Sequence, residues 1–262
     1  MLCGSGELVK YLQSASTIGR QERVLQAGGG PLSDNSANMT SSGFLVLSAS
    51  KPLAIFSDFD GTIACPDTLN FLAETFAGPE FRQGIGKRIA SGELSLRDGI
   101  QQEVALIQGT LEEILSYLRK HVEIDKAFPA FAAWCCKENI PLTILSAGIK
   151  DIIEDLLRPY SLKQVKVLAN PLRIDQGKWS LQFLDETPWG HDKSRAVRQA
   201  KAEGYCVVYL GDGLSDRGAA RIADLVFAKA GLARYCAEQQ IPHKAFADFH
   251  EVQRELVLFL RP

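Results

Sequence analysis

No apolar run in this 262-residue chain approaches the roughly 18 residues that a membrane-crossing helix needs. The longest N-terminal candidate, 43–49, is too short for a secretory core, and Glu7 and Lys10 stand where such a core would lie. A surplus of charge is also missing. Lys and Arg number 29 against 31 for Asp and Glu, a net −2, which argues against general nucleic-acid or membrane-surface binding. The six cysteines include no CxxC pair, so they suit free thiols of a reducing, cytoplasmic setting and not a disulfide framework. His121, His191, His243 and His250 lack metal-ligand spacing and read as ordinary surface or core histidines. What is left is an ordinary globular chain. At about 150 residues per domain it has room for a core and a smaller companion.

Residues 1–50 hold nine serines, the triplet Gly28-Gly29-Gly30 and little apolar periodicity. They are expected to be a disordered N-terminal extension. Translation from Met39 and a transit peptide are the alternatives, though Glu7, Glu22 and Asp34 are more acidic than transit peptides favour. Beyond Lys51 three apolar runs stand out: 52–56, 140–145 and 205–210. They stop at Ser57-Asp58-Phe59-Asp60-Gly61, at Ser146-Ala147-Gly148 and at Gly211-Asp212-Gly213. Runs of this kind suit strands buried on both faces. Helical patterns at 149–157 and 192–202 alternate with them, and 166–168 and 225–228 are further short strand candidates. The alternation predicts an α/β fold with a Rossmann-like parallel sheet.

The interval 69–127 has no such runs. Leu111, Ile114, Leu115 and Leu118 follow helical spacing, preceded by a capping box at Thr110 and Glu113. Leu96, Ile100, Val104 and Ile107 mark another helix. The reading is a helical cap at 69–127 inserted into a core of 51–68 and 128–262.

In open parallel sheets, ligands bind at the carboxyl ends of the strands. Asp58, Asp60, Ser146, Asp212 and Asp216 therefore converge in one crevice. Crowded carboxylates repel and recruit a cation, and oxygen ligands without His or Cys favour Mg²⁺. Such a cation lets an aspartate attack phosphorus. The Ser146 hydroxyl and the unobstructed Gly148 backbone suit phosphate oxygens. Lys193, just inside a predicted helix, adds positive charge, with Lys150 as a rival. Asp60, two residues beyond Asp58, can protonate a leaving oxygen and later deprotonate water.

The segment Asp58-Phe59-Asp60-Gly61-Thr62-Ile63 resembles the first motif of the haloacid dehalogenase superfamily. Ser146, Lys193 and the segment from Gly211 to Asp216 resemble its second, third and fourth motifs. The insertion resembles the C1-type cap of its phosphoserine phosphatase-like branch. Within that branch, Asp67 and the tail from Ala223 through Pro242 to Phe249 are similar to the methionine-salvage phosphatases. Those enzymes act on 2-hydroxy-3-keto-5-methylthiopentenyl-1-phosphate. Phosphoserine phosphatase is the runner-up reading, though those enzymes typically carry Glu at the Asp67 position and Ser at the Gly61 position.

The resemblance implies a Mg²⁺-dependent phosphatase of a small phosphorylated substrate. Asp58 is then nucleophile and metal ligand. Asp60 is general acid/base and ligand, and Asp212 and Asp216 complete the metal site. Ser146, Ala147, Gly148, Lys193 and Thr62 form the phosphate site. Asp67, Asn70 and Arg97 are the candidates for substrate contact. Two readings of another class remain: a receiver-like signalling domain and a non-catalytic module of the same fold. The early Asp-x-Asp followed by a cap speaks against the first. The presence of every motif residue speaks against the second.

Overall fold

A computed structural model describes residues 51–260 of the chain. The expectations for residues 1–50 lie outside the described residues.

The chain enters through β1 (Leu53–Ser57), whose residues are all buried. A short β2 (Ala64–Cys65) precedes four helices: α1 (Thr68–Ala77), α2 (Pro79–Ala90), α3 (Leu96–Val104) and α4 (Leu111–His121). The chain then continues through β3 (Glu123–Ile124), α5 (Phe128–Lys137), β4 (Leu142–Ile149) and α6 (Lys150–Leu157). Next come β5 (Lys166–Asn170) and the hairpin β6 (Leu172–Asp175) and β7 (Lys178–Leu181). The last part holds α7 (Lys193–Ala202), β8 (Cys206–Gly211), α8 (Arg217–Ala220) and β9 (Leu225–Ala228). It ends in α9 (Ala230–Glu238), β10 (Lys244–Ala245) and α10 (Phe249–Leu260).

Six strands form one parallel sheet in the order β10-β9-β8-β1-β4-β5. The order confirms the α/β reading and puts β1 at the centre. From β1 the chain moves outward to β4 and β5, then returns to β8 on the other side. Reversal at β1 opens a crevice at the carboxyl edge of the sheet. Helices cover the faces. On one, Val197 and Ala200 of α7 pack against Ala54, Phe56, Val207 and Tyr209. Elsewhere Phe128 and Phe131 meet Phe249 of α10 with ring centroids 4.9 and 5.2 Å apart. Full burial of each such side chain contributes about 1.5–3 kcal/mol.

The predicted capping box holds: Thr110 and Glu113 bond each other's backbone at the start of α4. Three differences from the sequence reading have local causes. β4 does not stop at Leu145 but runs through Ser146 to Ile149, with a register irregularity between Leu145 and Ile149. The interval 69–127 is interrupted by β3, a two-residue strand paired antiparallel with β2. The hairpin β6–β7 was not expected. Its turn residues Gln176 and Gly177 both have positive φ, 48° and 78°, the backbone a two-residue hairpin turn requires.

Candidate active site

Asp58 leaves β1 with its N–H still bonded to the Leu210 carbonyl of β8, at 2.8 Å. That bond carries the strand direction past the sheet edge and aims the carboxylate into the crevice. Its Oδ1 accepts from the Phe59 N–H at 2.7 Å and from Lys193 Nζ at 2.8 Å. Lys193 stands in the first turn of α7 and is 1% exposed, so an ammonium there requires partners. Asp216 is the second, with Oδ1 at 2.7 Å. Asp216 also accepts from the Tyr209 hydroxyl at 2.6 Å and from the N–H groups of Asp212 (3.0 Å) and Gly213 (2.8 Å).

Asp60 is held from the other side. Its Oδ1 accepts from the Thr68 N–H at 2.8 Å and the Thr68 hydroxyl at 2.7 Å. Ser146 stands beside the same carboxylate, since a Cβ on Gly148 would lie 3.0 Å from Asp60 Oδ2 and 3.2 Å from Ser146 Oγ, and its hydroxyl accepts from the Gly148 N–H at 2.9 Å. The backbone behind Ser146 is fixed by His191, whose Nδ1 lies 3.1 Å from the Ser146 carbonyl. Gly61 has φ 73°, and a Cβ there would lie 2.2 Å from Asp212 Oδ2. The loop after β1 thus needs glycine both for its backbone and for the approach of Asp212.

The electrostatics follow from this packing. Burial, with Asp216 and Asp212 nearby, pushes the Asp58 carboxyl well above the ordinary carboxylate value despite Lys193. Burial also raises Asp60, against the Thr68 hydrogen bonds. Burial and Asp216 push Asp212 up to about 7. Burial, Asp60 and Asp212 push Asp67 up to about 8. Asp216 behaves oppositely: burial would raise it, but Lys193, Tyr209 and Gly213 hold it below the usual range. Burial disfavours the Lys193 ammonium, yet Asp216 and Asp58 together raise its pKa. Carboxylate oxygens of Asp58, Asp212 and Asp216 all lie within 4.8 Å of one another. An all-oxygen cluster this tight, with one lysine to offset it, fits a hard divalent cation.

A cavity of about 230 Å³ opens above these groups. Asp58, Asp60, Ser146, Ala147, Gly148 and Asp212 line its floor, as their strand-end positions imply. Asp67 and Asn70 also line it, and Asp67 caps α1 by accepting from the Asn70 N–H at 2.8 Å. Arg97 does not. Its guanidinium bonds the Asp185 carbonyl at 2.6 Å and Glu186 at 3.0 Å, and stacks over Phe183 at 4.5 Å. The segment after β7 has taken it up. The arginine at the cavity is Arg82 of α2, paired with the buried Glu103 of α3. Sequence reasoning missed both. Thr62 is buried beside the loop and absent from the cavity lining. Its carbonyl accepts from Lys229 Nζ at 3.0 Å, which ties the loop to the segment after β9.

Comparison with known proteins agrees with this geometry. Residues 55–221 match the family described as haloacid dehalogenase-like hydrolase. The chain is 32% identical to Pdp3-interacting factor 1 of Schizosaccharomyces pombe, over 79% of this chain and 95% of that protein. It is 31% identical to the polyol phosphate phosphatase PYP1 of Saccharomyces cerevisiae, over 76% of this chain and 90% of that protein. It is also 31% identical to the 2-hydroxy-3-keto-5-methylthiopentenyl-1-phosphate phosphatase of Brevibacillus brevis, over 79% and 96%. Among solved structures, a phospho-aspartyl intermediate analogue of phosphoserine phosphatase shares the fold. Its TM-score is 0.60 at 20% identity, over 78% of this chain and 98% of that one. The chain belongs to the haloacid dehalogenase-like hydrolases and is an enzyme of their phosphatase kind.

Proposed function

We propose that the chain is a Mg²⁺-dependent phosphomonoesterase working through an aspartyl-phosphate on Asp58. The observation that carries this reading is the buried series Asp58, Lys193, Asp216, linked at 2.8 and 2.7 Å beside Asp60 and Ser146. An Asp58 oxygen attacks phosphorus as the bond to the leaving oxygen breaks. Asp60 gives that oxygen a proton, which burial helps it retain. Asp60 then takes a proton from the water that attacks the aspartyl-phosphate, which releases phosphate and restores Asp58. The Ser146 hydroxyl, the backbone of Ala147 and Gly148, and Lys193 receive the phosphate oxygens.

Asp58, Asp212 and the Asp60 carbonyl would hold the cation. Mg²⁺, when bound, neutralises the Asp58 carboxylate and the phosphate dianion so that they can approach. Asp216, expected from the sequence to complete the metal site, has both oxygens engaged by protein donors, so its task here is instead to position Lys193 and the 212–213 backbone. Thr62 stiffens the loop. Helices of the 69–127 cap close over a core of 51–68 and 128–262 and exclude water from the phosphorylated aspartate.

The substrate we propose is a small phosphorylated metabolite. The first candidate is 2-hydroxy-3-keto-5-methylthiopentenyl-1-phosphate of methionine salvage, on the identity to the Brevibacillus brevis enzyme. A polyol phosphate is the second reading, on equal identity to PYP1. Phosphoserine has the fold likeness alone behind it. A reducing, cytoplasmic location is supported by the free state of Cys65, Cys135, Cys136, Cys206 and Cys236. Phosphate release from p-nitrophenyl phosphate tests the class. Release should require Mg²⁺ and vanish with chelator, and its absence in Mg²⁺ would overturn the reading. A panel of the named phosphates then ranks the substrates.

A further inference from the structure

Building on the phosphatase reading, we infer that Arg82 and Glu103 act as a charge-cancelled pair that selects leaving groups without a carboxylate. Three cap helices meet at this point. Arg82 of α2 places Nε 3.3 Å from Glu103 Oε1 of α3 and donates from the same nitrogen to Asn70 Oδ1 of α1. All three residues line the cavity. The Glu103 side chain is 6% exposed and the Arg82 side chain 25%.

The charges decide what this wall accepts. Arg82 contributes +1 and Glu103 −1. Asp67, beside them, contributes nothing or −1 according to its protonation. While the Arg82–Glu103 ion pair is intact, the sum at the cap end is therefore zero or negative. A carboxylate on the substrate finds no net cation there. To recruit Arg82 it would have to share it with Glu103, or leave a buried carboxylate without its partner, which is strongly unfavourable. Like charges brought together at a recognition surface are a common means of rejecting the wrong partner.

Hydroxyl and carbonyl oxygens meet no such penalty. They can accept from the Arg82 guanidinium and the Asn70 amide while the ion pair stays intact. Leu69 and Ile100 complete the wall with apolar surface. A cavity of about 230 Å³ leaves space for a short chain beyond the phosphate. The substrate class is thus a phosphate monoester of a short, uncharged alcohol bearing hydroxyl or carbonyl groups. Arg82 and Glu103 are its specificity-determining residues.

Glycerol 3-phosphate and 3-phosphoglycerate make the test, because a carboxylate in place of a hydroxymethyl group is their one difference. Wild-type kcat/KM should favour glycerol 3-phosphate by about 100-fold or more. In Glu103→Gln the Arg82 charge is no longer cancelled, and the ratio should fall to about tenfold or below. A purely structural role for Glu103 would lower both substrates together and leave the ratio unchanged. That result in a folded variant would overturn the inference. So would a wild-type ratio under about tenfold, which needs no variant and decides the matter should Glu103→Gln not fold. Hydrolysis of p-nitrophenyl phosphate without hydrolysis of glycerol 3-phosphate would also overturn it. Failure on p-nitrophenyl phosphate itself would mark a different fault, in the phosphatase reading, and this inference would fall with it.

Discussion

Asp58 and Asp216 share one lysine and titrate in opposite directions. Asp216 sits among four hydrogen-bond donors, whereas Asp58 faces other carboxylates. On the proposed reading, a cation relieves the proton affinity built up around Asp58 and Asp212. Asp212 and Asp67 are raised from 3.8 to about 7 and about 8, so the folded chain holds their protons more tightly than the unfolded chain. Their contribution to stability is complete below 3.8 and is lost as pH rises through 7 and 8. In chelator, the protein should melt at a lower temperature at about pH 9 than at about pH 6, and Mg²⁺ should narrow the gap. Calorimetry at both pH values checks this, and a Tm that rises with pH in chelator would contradict it. Asp58→Asn should lower turnover by about a thousandfold or more while the melting temperature stays within a few degrees. Steady-state kinetics beside a melting curve measures both.

The residues at strand ends were legible because a buried strand followed by a polar turn can be read locally, and topology then brings the turns together. Arg97 was not legible. Its residue type suits a substrate anion, but its direction is set by Phe183, Asp185 and Glu186, more than eighty positions away. Arg82 gave no signal, because α2 carries Gly84 and Gly86 and has no clear apolar stripe. Glu103 lies on α3, whose apolar spacing is legible, but a lone glutamate on such a helix reads as a solvated residue.

Between the strands, short connections do the positioning. The loop after β1 turns at Gly61, and β8 ends at Gly211, where a Cβ would lie 2.6 Å from Asp216 Cγ. Gly61→Ala should displace Asp212, cost about 1 kcal/mol or more in stability and weaken Mg²⁺ binding. Isothermal titration with Mg²⁺ checks the second effect, and unchanged affinity would show that Asp212 is not held by this contact. The hairpin β6–β7 links core and cap through Trp179, whose Nε1 donates to the Gly109 carbonyl at 3.0 Å. Trp179 is 2% exposed, so Trp179→Ala should destabilise the protein by about 3–5 kcal/mol, measured by denaturant unfolding. The alternation in 172–175 and 178–181 around Gln176-Gly177 carries this hairpin, but its four-residue strands are half polar and form no apolar run. β2 and β3 have two residues each and leave no pattern in a sequence. The extension of β4 past Ser146 was hidden because Ala147 and Gly148 look like a turn.

A net charge of −2 conceals a concentrated acidic cluster among the described residues. The parallel sheet gathers Asp58, Asp60 and Asp212 at the edge where its strand order reverses, and the cap helices supply a wall whose charges cancel. On the proposed reading, chemistry sits in the core and selection in the cap, so changes in one should leave the other readable. The central claim is that phosphate is carried on Asp58. Mass spectrometry of the Asp60→Asn variant, quenched in acid during turnover of p-nitrophenyl phosphate with Mg²⁺, tests it most directly. Slowed hydrolysis should leave one phosphoryl group on the peptide that contains Asp58, and none when Asp58→Asn is added. A phosphoryl group on another residue, or rapid phosphate release with no labelled peptide in either variant, would contradict the account.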